Sequence, residues 1–492
     1  MQPILVGLDL GTTLCKCVAC FRDGVPKASA SRMIATDRSV AGGAEQNPAD
    51  WLEAILAVMS DIAAQLGDER VEIIAMGVSA HGPGVVLTNE DARPMLPCAI
   101  WQDNRSARYG SELLELVGCD WVGHGMPQTG FAARLRWLNR TQPDMIRKAR
   151  HIHTVKGYLL YALTGNYVTE PSSSGCNDGW SPDLLEACGV SPAQMDTCIS
   201  SEATAGVLRA DIAAQTGFPA NTMIIAGLND GATAMLGSGM IDVGKGVVSV
   251  STNGIARVVA DKKQTGRFLW EHSLFCWPYL DGKYVLGGFT KSAGDTVQWF
   301  LQLAYAELPE SVRLEVLNHE AEQSGPGARG VRFYPWLFGR GSPASTDSPA
   351  GCFQCLARHH TRGDCARALF EGVAYALCDI GVQFRKMGYA WNDIRLTGGG
   401  MKSPLWRSII CNVLNVDGQR AVSDSLLGIT MLTGVGCGIY PDIHAACSEC
   451  VIKPEEASLL NPALTAFYEE AYQIYEKTKE PLAAFQRVVE GD

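Results

Sequence analysis

The chain has 492 residues, 47% hydrophobic and 19% charged, with a formal net charge of −11. That length supports two or more domains with full cores, and the acidic balance excludes broad nucleic-acid binding, which needs clustered Lys and Arg. Seventeen cysteines, an odd count in so long a chain, exclude a secreted disulfide scaffold.

The first element is read from "ILVGLDLGTTLCKCVACFRDGVP". An apolar strand carrying Asp9 runs into Gly11. The segment after Gly11 is rich in small and β-compatible residues, with Lys16 interrupting it, and Asp23-Gly24 is a hairpin signal. The stretch is therefore predicted to be a β-hairpin rather than strand–loop–helix. It carries neither GxGxxG nor GxxxxGK[ST], which weighs against a Rossmann domain and a P-loop. The N-terminus has no basic region and Asp9 breaks its apolar run, so no signal peptide is read and a cytoplasmic location is expected.

A helix is predicted at "NPADWLEAILAVMSDIAAQLG", with Trp51, Ile55, Val58 and Ile62 at helical spacing. The strand "VEIIAMGVSAHG" comes next and ends at His81. This alternation implies an α/β layered domain. Near residue 223 a similar order restarts. "NTMIIAGLNDGATAMLGSG" reads as strand, turn and helix, and "GKGVVSVSTNGIARVVADKK" as a second hairpin. Each hairpin tip carries hydroxyls and a glycine: Thr12 and Thr13 in one, Ser251, Thr252 and Gly254 in the other. Two such tips facing each other could hold a polyphosphate through backbone N–H groups and hydroxyls.

Further on, "DIRLTGGGMKSPLWRSIICNVLNV" predicts a strand running through Gly398, Gly399 and Gly400 into a helix capped near Ser403-Pro404. Three glycines let backbone approach a flat ligand, which favours a nucleotide contact over a plain connection. The longest uncharged stretch, "SLLGITMLTGVGCGIYP", is rich in Gly and Thr and reads as a buried helix, not a membrane span. The three CxxC pairs, Cys17/Cys20, Cys352/Cys355 and Cys447/Cys450, would make a zinc site only if two were brought together. Buried apolar packing is the favoured reading.

With these motifs in place, the sequence resembles the FGGY carbohydrate kinases, part of the actin-like and hexokinase-like phosphotransferases, over roughly residues 4 to 475. "GLDLGTTLCK" resembles the first phosphate motif, "AIWQDNRSA" the W-x-D-x-R sugar segment and "AARLRWLNRTQPDM" the first signature. "GLNDGATAMLGSG" resembles the catalytic-aspartate motif and "VSVSTNG" the second phosphate motif. "AGCFQCLARHHTRGDCARALFEGVAYAL" resembles the second signature, and "LTGGGMKSPLWR" the adenosine motif. The resemblance implies an α/β fold of two RNase H-like domains, residues 1–246 and 247–492, with ATP and sugar in the cleft between them and closure on sugar binding.

It also implies roles. Asp230 would be the general base, the alternative for an Asp there being a helix N-cap. Asp9 would hold Mg²⁺, the alternative being a turn-forming Asp. Thr12, Thr13, Thr252 and Gly254 would contact phosphates. Lys16 matches the family's basic loop position, its alternative being an exposed strand lysine. Gly398, Gly399 and Gly400 would contact the adenosine. His81, Trp101, Asp103 and Arg105 are the acceptor candidates, offering charged groups for hydroxyls and an aromatic face. The implied reaction is ATP-dependent phosphorylation of a small sugar or polyol. A xylulose-like ketopentose leads, with gluconate or a tetritol as the alternative. A homodimer is allowed, while no nucleic-acid or membrane partner is expected. A non-catalytic actin-like protein is the reading from another class. Several residues depart from the pattern. Gly231 stands where xylulokinases usually have Asn and gluconate kinases often have Gly, "WQDNRS" and "LFCWPYLDGKYVLGGF" also lean toward gluconate kinases, and no Met-His pair precedes "GPG". Gluconate would need a cation for its carboxylate, for which Arg105 is the candidate.

Overall fold

The computed structural model describes residues 2–67, 71–121, 129–174, 180–344, 350–421, 425–450 and 456–490. The first hairpin forms as expected. Strand β1 (Gln2–Leu10) pairs antiparallel with β2 (Leu14–Cys20), placing Asp9 opposite Lys16. Gly24, at φ +77°, closes the next turn, where a side chain would be strained. The chain then returns as β3 (Pro26–Met33). Helix α1 (Pro48–Leu66) is capped by Asn47, whose side chain accepts from Ala49 N–H, and it buries Trp51, Ile55, Val58 and Ile62. Strand β4 (Val71–Ala80) lies parallel to β1. Helix α2 (Val155–Thr164) comes later, then β5 (Thr204–Val207) and β6 (Met223–Ile225). They complete a six-stranded sheet in the order β5-β6-β4-β1-β2-β3.

After helix α3 (Asp230–Gly237) the plan repeats. Strands β7 (Lys245–Val250) and β8 (Gly254–Ala260) form the second hairpin. Strands β9 (Phe275–Pro278) and β10 (Tyr284–Thr290) extend it on the β8 side. Helix α4 (Arg362–Lys386) crosses to β11 (Asp393–Thr397), parallel to β7. Helix α5 (Pro404–Leu414), with Ser403 as its cap, leads to β12 (Gly418–Arg420). With β13 (Ala457–Ser458) the seven-stranded order is β9-β10-β8-β7-β11-β12-β13. Each sheet thus has an antiparallel three-strand meander, a helix, a parallel strand beside the first, and a further parallel strand. That is the RNase H-like plan, twice.

Helix α6 (Ser425–Gly436) is the buried helix expected from the uncharged stretch, but it belongs spatially to the first sheet. It lies on β1 and β4 and against α3. The approach is close enough to require glycine. A Cβ on Gly77 would stand 2.1 Å from Thr433 Oγ1, and one on Gly428 2.1 Å from the Thr233 carbonyl oxygen. A shared apolar cluster results, joining Leu5, Met235 and Leu236 to Ile429, Leu432, Val247 and Val259. The C-terminal helix α7 (Pro462–Glu490) fastens onto α4, where Lys479 Nζ donates to Asp379 Oδ1 at 2.6 Å. Among the described residues no helix is long and apolar enough to cross a membrane. Cys17, Cys352, Cys355, Cys447 and Cys450 are free thiols.

Candidate active site

Asp9 occupies the next-to-last position of β1 and is 5% exposed. Ser79 Oγ, from the parallel neighbour β4, donates to Oδ1 at 2.8 Å, and Ser425 Oγ, at the start of α6, donates to Oδ2 at 2.6 Å. Across the ladder, the half-buried Lys16 bonds to no acceptor among the described residues. At the hairpin tip Trp101 Nε1 donates to Thr12 Oγ1 at 2.8 Å, and Gln46 Nε2 to the Thr12 carbonyl at 2.7 Å. Thr13 is exposed. The His81 N–H donates to the Leu10 carbonyl at 2.8 Å. Asp9, the hairpin, Trp101 and His81 are therefore brought to one end of the first sheet. A carboxylate flanked by hydroxyl oxygens is a donor set suited to a hard divalent cation, and an unpaired lysine beside it suits phosphate.

Asp230 opens α3, but it is not the cap. Asn229 is, its Oδ1 accepting from Ala232 N–H at 2.8 Å. Asp230 Oδ1 accepts from its neighbour Gly231 N–H at 2.7 Å, leaving Oδ2 free. Burial pushes the Asp230 carboxyl up to about 6, and the nearby charge of Asp9 adds to the rise. Arg257, the Gly231 N–H and Lys156 act in the opposite direction. The turn before α3 is held from beneath. Lys156, in α2, donates to the carbonyls of Val78, Ala226 and Leu228. Burial pulls its ammonium down to about 8. Ser172 accepts the Asn229 N–H on Oγ at 2.8 Å and Asn229 Nδ2 on its carbonyl at 2.9 Å.

The acceptor candidates divide. His81 is buried, stands edge-on to Trp51 with ring centroids 5.6 Å apart, and has both ring nitrogens without a hydrogen bond. Burial, then the charge of Arg134, lowers it to about 4, so it is neutral near pH 7. Asp103 is fully buried and accepts from Ala44 N–H at 2.9 Å and from Arg105 Nη2 at 2.6 Å. Arg105 also pairs with Glu45 and lies 4.7 Å over the Trp137 ring. Asp103 and Arg105 thus spend their charge on each other and on Glu45.

The second hairpin tip, Ser251 to Asn253, is closed by Ser251 N–H to the Asn253 carbonyl at 3.0 Å, with Thr252 exposed and Gly254 opening β8. The triglycine bend lies against it, because β11 pairs with β7 up to Thr397 opposite Ser249. Gly398 has φ +91°, and a Cβ there would meet the Val250 carbonyl oxygen at 2.4 Å. Gly399 has open space around it. Thr252, Gly254 and Gly398–Gly400 are thereby gathered at one end of the second sheet.

Four residues escaped the sequence reading: Ser79, Ser425, Lys156 and Arg257. Two left a signal, since Lys156 and Arg257 are lone cations in the apolar runs "TVKGYLLYALTG" and "NGIARVVA". Ser425 left none, being 416 residues from Asp9.

Two RNase H-like halves, each presenting a Thr/Gly hairpin, make a two-domain actin-like ATPase fold. Residues 4–237 match the N-terminal domain, and residues 258–437 the C-terminal domain, of the FGGY family of carbohydrate kinases. The chain belongs to that family and is a carbohydrate kinase. It is 25% identical over 492 residues to a xylulose kinase of Staphylococcus epidermidis, covering 97% of this chain and 96% of that protein. It is 27% identical over 459 residues to a gluconokinase of Bacillus subtilis, covering 88% and 87%. Among solved structures, a xylulose kinase from Rhodospirillum rubrum superposes with a TM-score of 0.90 at 22% identity, covering 98% of this chain and 100% of that one. A gluconate kinase from Lactobacillus acidophilus gives 0.89 at 22% identity, covering 99% of each.

Proposed function

We propose that this chain phosphorylates one hydroxyl of a small polyhydroxylated acceptor, with Mg-ATP as donor and Asp230 as general base. The observation that supports it most directly is the free Oδ2 of Asp230: the cap duty is taken by Asn229, and the carboxyl is poised at about 6. Such a carboxylate is ionised at neutral pH yet basic enough to take a proton from an alcohol as attack proceeds. Mg-ATP, when bound, supplies the electrophilic phosphorus and a leaving group whose charge is already partly neutralised. Asp9, with Ser79 and Ser425, is the candidate cation holder, and Lys16, Thr12, Thr13, Thr252 and Gly254 are the candidate phosphate contacts. Gly398–Gly400 offer a side-chain-free surface to the adenosine. His81 and Trp101 are the acceptor-side groups left to meet hydroxyls and carbon, while Asp103 and Arg105 are paired with each other and with Glu45.

A xylulose-like ketopentose is the broad expectation for the acceptor. An aldonate such as gluconate is the second reading, favoured by a cation beside the base that has no protein partner. A coupled ADP-release assay across pentuloses, tetritols, aldonates and glycerol tests the assignment. Asp230→Ala is expected to lower acceptor-dependent ADP release by roughly 10²- to 10⁴-fold while ATP still binds, on the order of a general base's contribution. Full turnover in that variant would remove Asp230 from its role.

A further inference from the structure

The second sheet sends one cation toward the base. Arg257 lies in the middle of β8 and is 9% exposed. Its Nε is sealed from solvent and has no hydrogen-bond partner. Among the described residues, Nη1 and Nη2 also make no hydrogen bond or ion pair to a protein acceptor. Its charge reaches Asp230, yet the two are beyond ion-pair contact. A carboxylate of the first half and a guanidinium of the second thus stand near each other without pairing.

The guanidinium carbon stands 5.8 Å from the centroid of the Trp277 ring. A Cβ on Gly231 would lie 2.6 Å from Trp277 Cζ3 and 3.2 Å from Arg257 Nη2, so only glycine after Asp230 lets both groups come up to the base. Two other cations of the site are occupied: Lys156 is spent on three carbonyls, and Arg105 on Asp103 and Glu45. Arg134 is fully buried, donates through Nη2 to the Asp103 carbonyl at 3.1 Å and has no partner on Nε and Nη1 among the described residues, but its charge falls on His81, whereas that of Arg257 falls on Asp230. Arg257 is also removed from the phosphate elements: it is three residues beyond Gly254, about 10 Å along the strand. A nearly buried guanidinium without an acceptor is costly, and a ligand anion is what would complete it.

We propose that Arg257 binds a carboxylate on the acceptor, so that the preferred acceptor class is an aldonate, a polyhydroxy acid, rather than a neutral ketose or polyol. This rests on the reading of Asp230 as the base that meets the acceptor hydroxyl. The guanidinium fork matches a carboxylate in a bidentate fashion. Asp230 takes the hydroxyl end of the chain, and Arg257 takes the anionic end. A neutral acceptor would leave the buried cation unpaired, and a site built around a charged hydrogen bond rejects the analogue lacking it more strongly than an apolar pocket rejects a missing methylene.

The test is calorimetric binding of D-gluconate and D-glucitol, which differ only by a carboxylate against a hydroxymethyl, to wild type, Arg257→Gln and Arg257→Lys, with thermal melts to verify folding. Wild type is expected to bind gluconate roughly ten- to a hundredfold more tightly, the range of a hydrogen bond to a charged group. Arg257→Gln should erase the preference and Arg257→Lys should retain part of it. Equal binding of the two ligands by wild type, or an undiminished gluconate preference in Arg257→Gln, overturns the proposal. So does an equal loss of turnover with every acceptor, which would place the guanidinium on the transferring phosphoryl group. Binding is read without turnover, so the two readings fail separately. Gluconate preference without ADP release would sink the kinase assignment alone, and xylulose turnover indifferent to Arg257 would sink this one alone.

Discussion

Asn229 takes the cap of α3, and that leaves the neighbouring carboxylate without a structural duty. The consequence is measurable in two ways. Acceptor-dependent kcat/KM should rise as pH increases through about 6, because only ionised Asp230 accepts a proton. The same residue should cost stability. Its folded value lies above its ordinary 3.8, so the unfolded chain releases this proton first as pH rises. The protonated form favours the fold, and that advantage is lost between about 4 and about 6. Asp230→Asn should therefore melt higher than wild type at pH 8, by on the order of 2–3 kcal/mol, with the gain shrinking as pH falls toward 4. Urea melts at pH 8 and pH 5 check the sign. At this scale the sequence was informative where a residue sits in a compact motif, as Asp9 and Asp230 do. It marked Arg257 only as a lone cation among apolar strand residues, which says nothing of which face it takes. The pairing of Arg105 with two carboxylates was equally hidden, because Glu45 lies sixty residues upstream of it.

At the scale of elements, local signals carried far. The Asp23-Gly24 turn, the Ser403 cap and the helical spacing in α1 each form where expected, and the Asn47 cap of α1 adds a boundary of the same short-range kind. The uncharged run 425–441 also gives the expected buried helix, but not its address. Gly428 of this helix and Gly77 of β4 explain why it can lie so close to α3 and β4. Gly428→Ala would drive a methyl group into the Thr233 carbonyl oxygen, 2.1 Å away. Overpacking of this kind costs about 1–3 kcal/mol. Displacing α3 also moves Asp230, so that variant should lose kcat along with stability, read by denaturant melts and the ADP assay together. A loss of stability alone would mean that α3 tolerates the shift.

For the whole molecule, the repeated plan was legible as one restart, near residue 223, of a hairpin and strand–helix order, and the family motifs in order indicated which plan it was. Which segment packs where was not, because long-range contacts such as Ser425 to Asp9 leave no local trace. Transfer in an open site would let water compete for the phosphoryl group. The two halves should therefore draw together when a confirmed acceptor and a non-hydrolysable ATP analogue bind, seen as a smaller radius of gyration in small-angle scattering. No compaction with a bound acceptor would count against that closure. The return of α6 carries one more implication. The turn around Asp261–Lys263 is exposed, and a protease cutting there would separate the chain into two fragments. The amino fragment would still hold two strands of its partner's sheet, and the carboxyl fragment a helix of the other's. Each piece keeps something the other needs, like clasped hands, so the cleaved protein would remain a single particle until denatured.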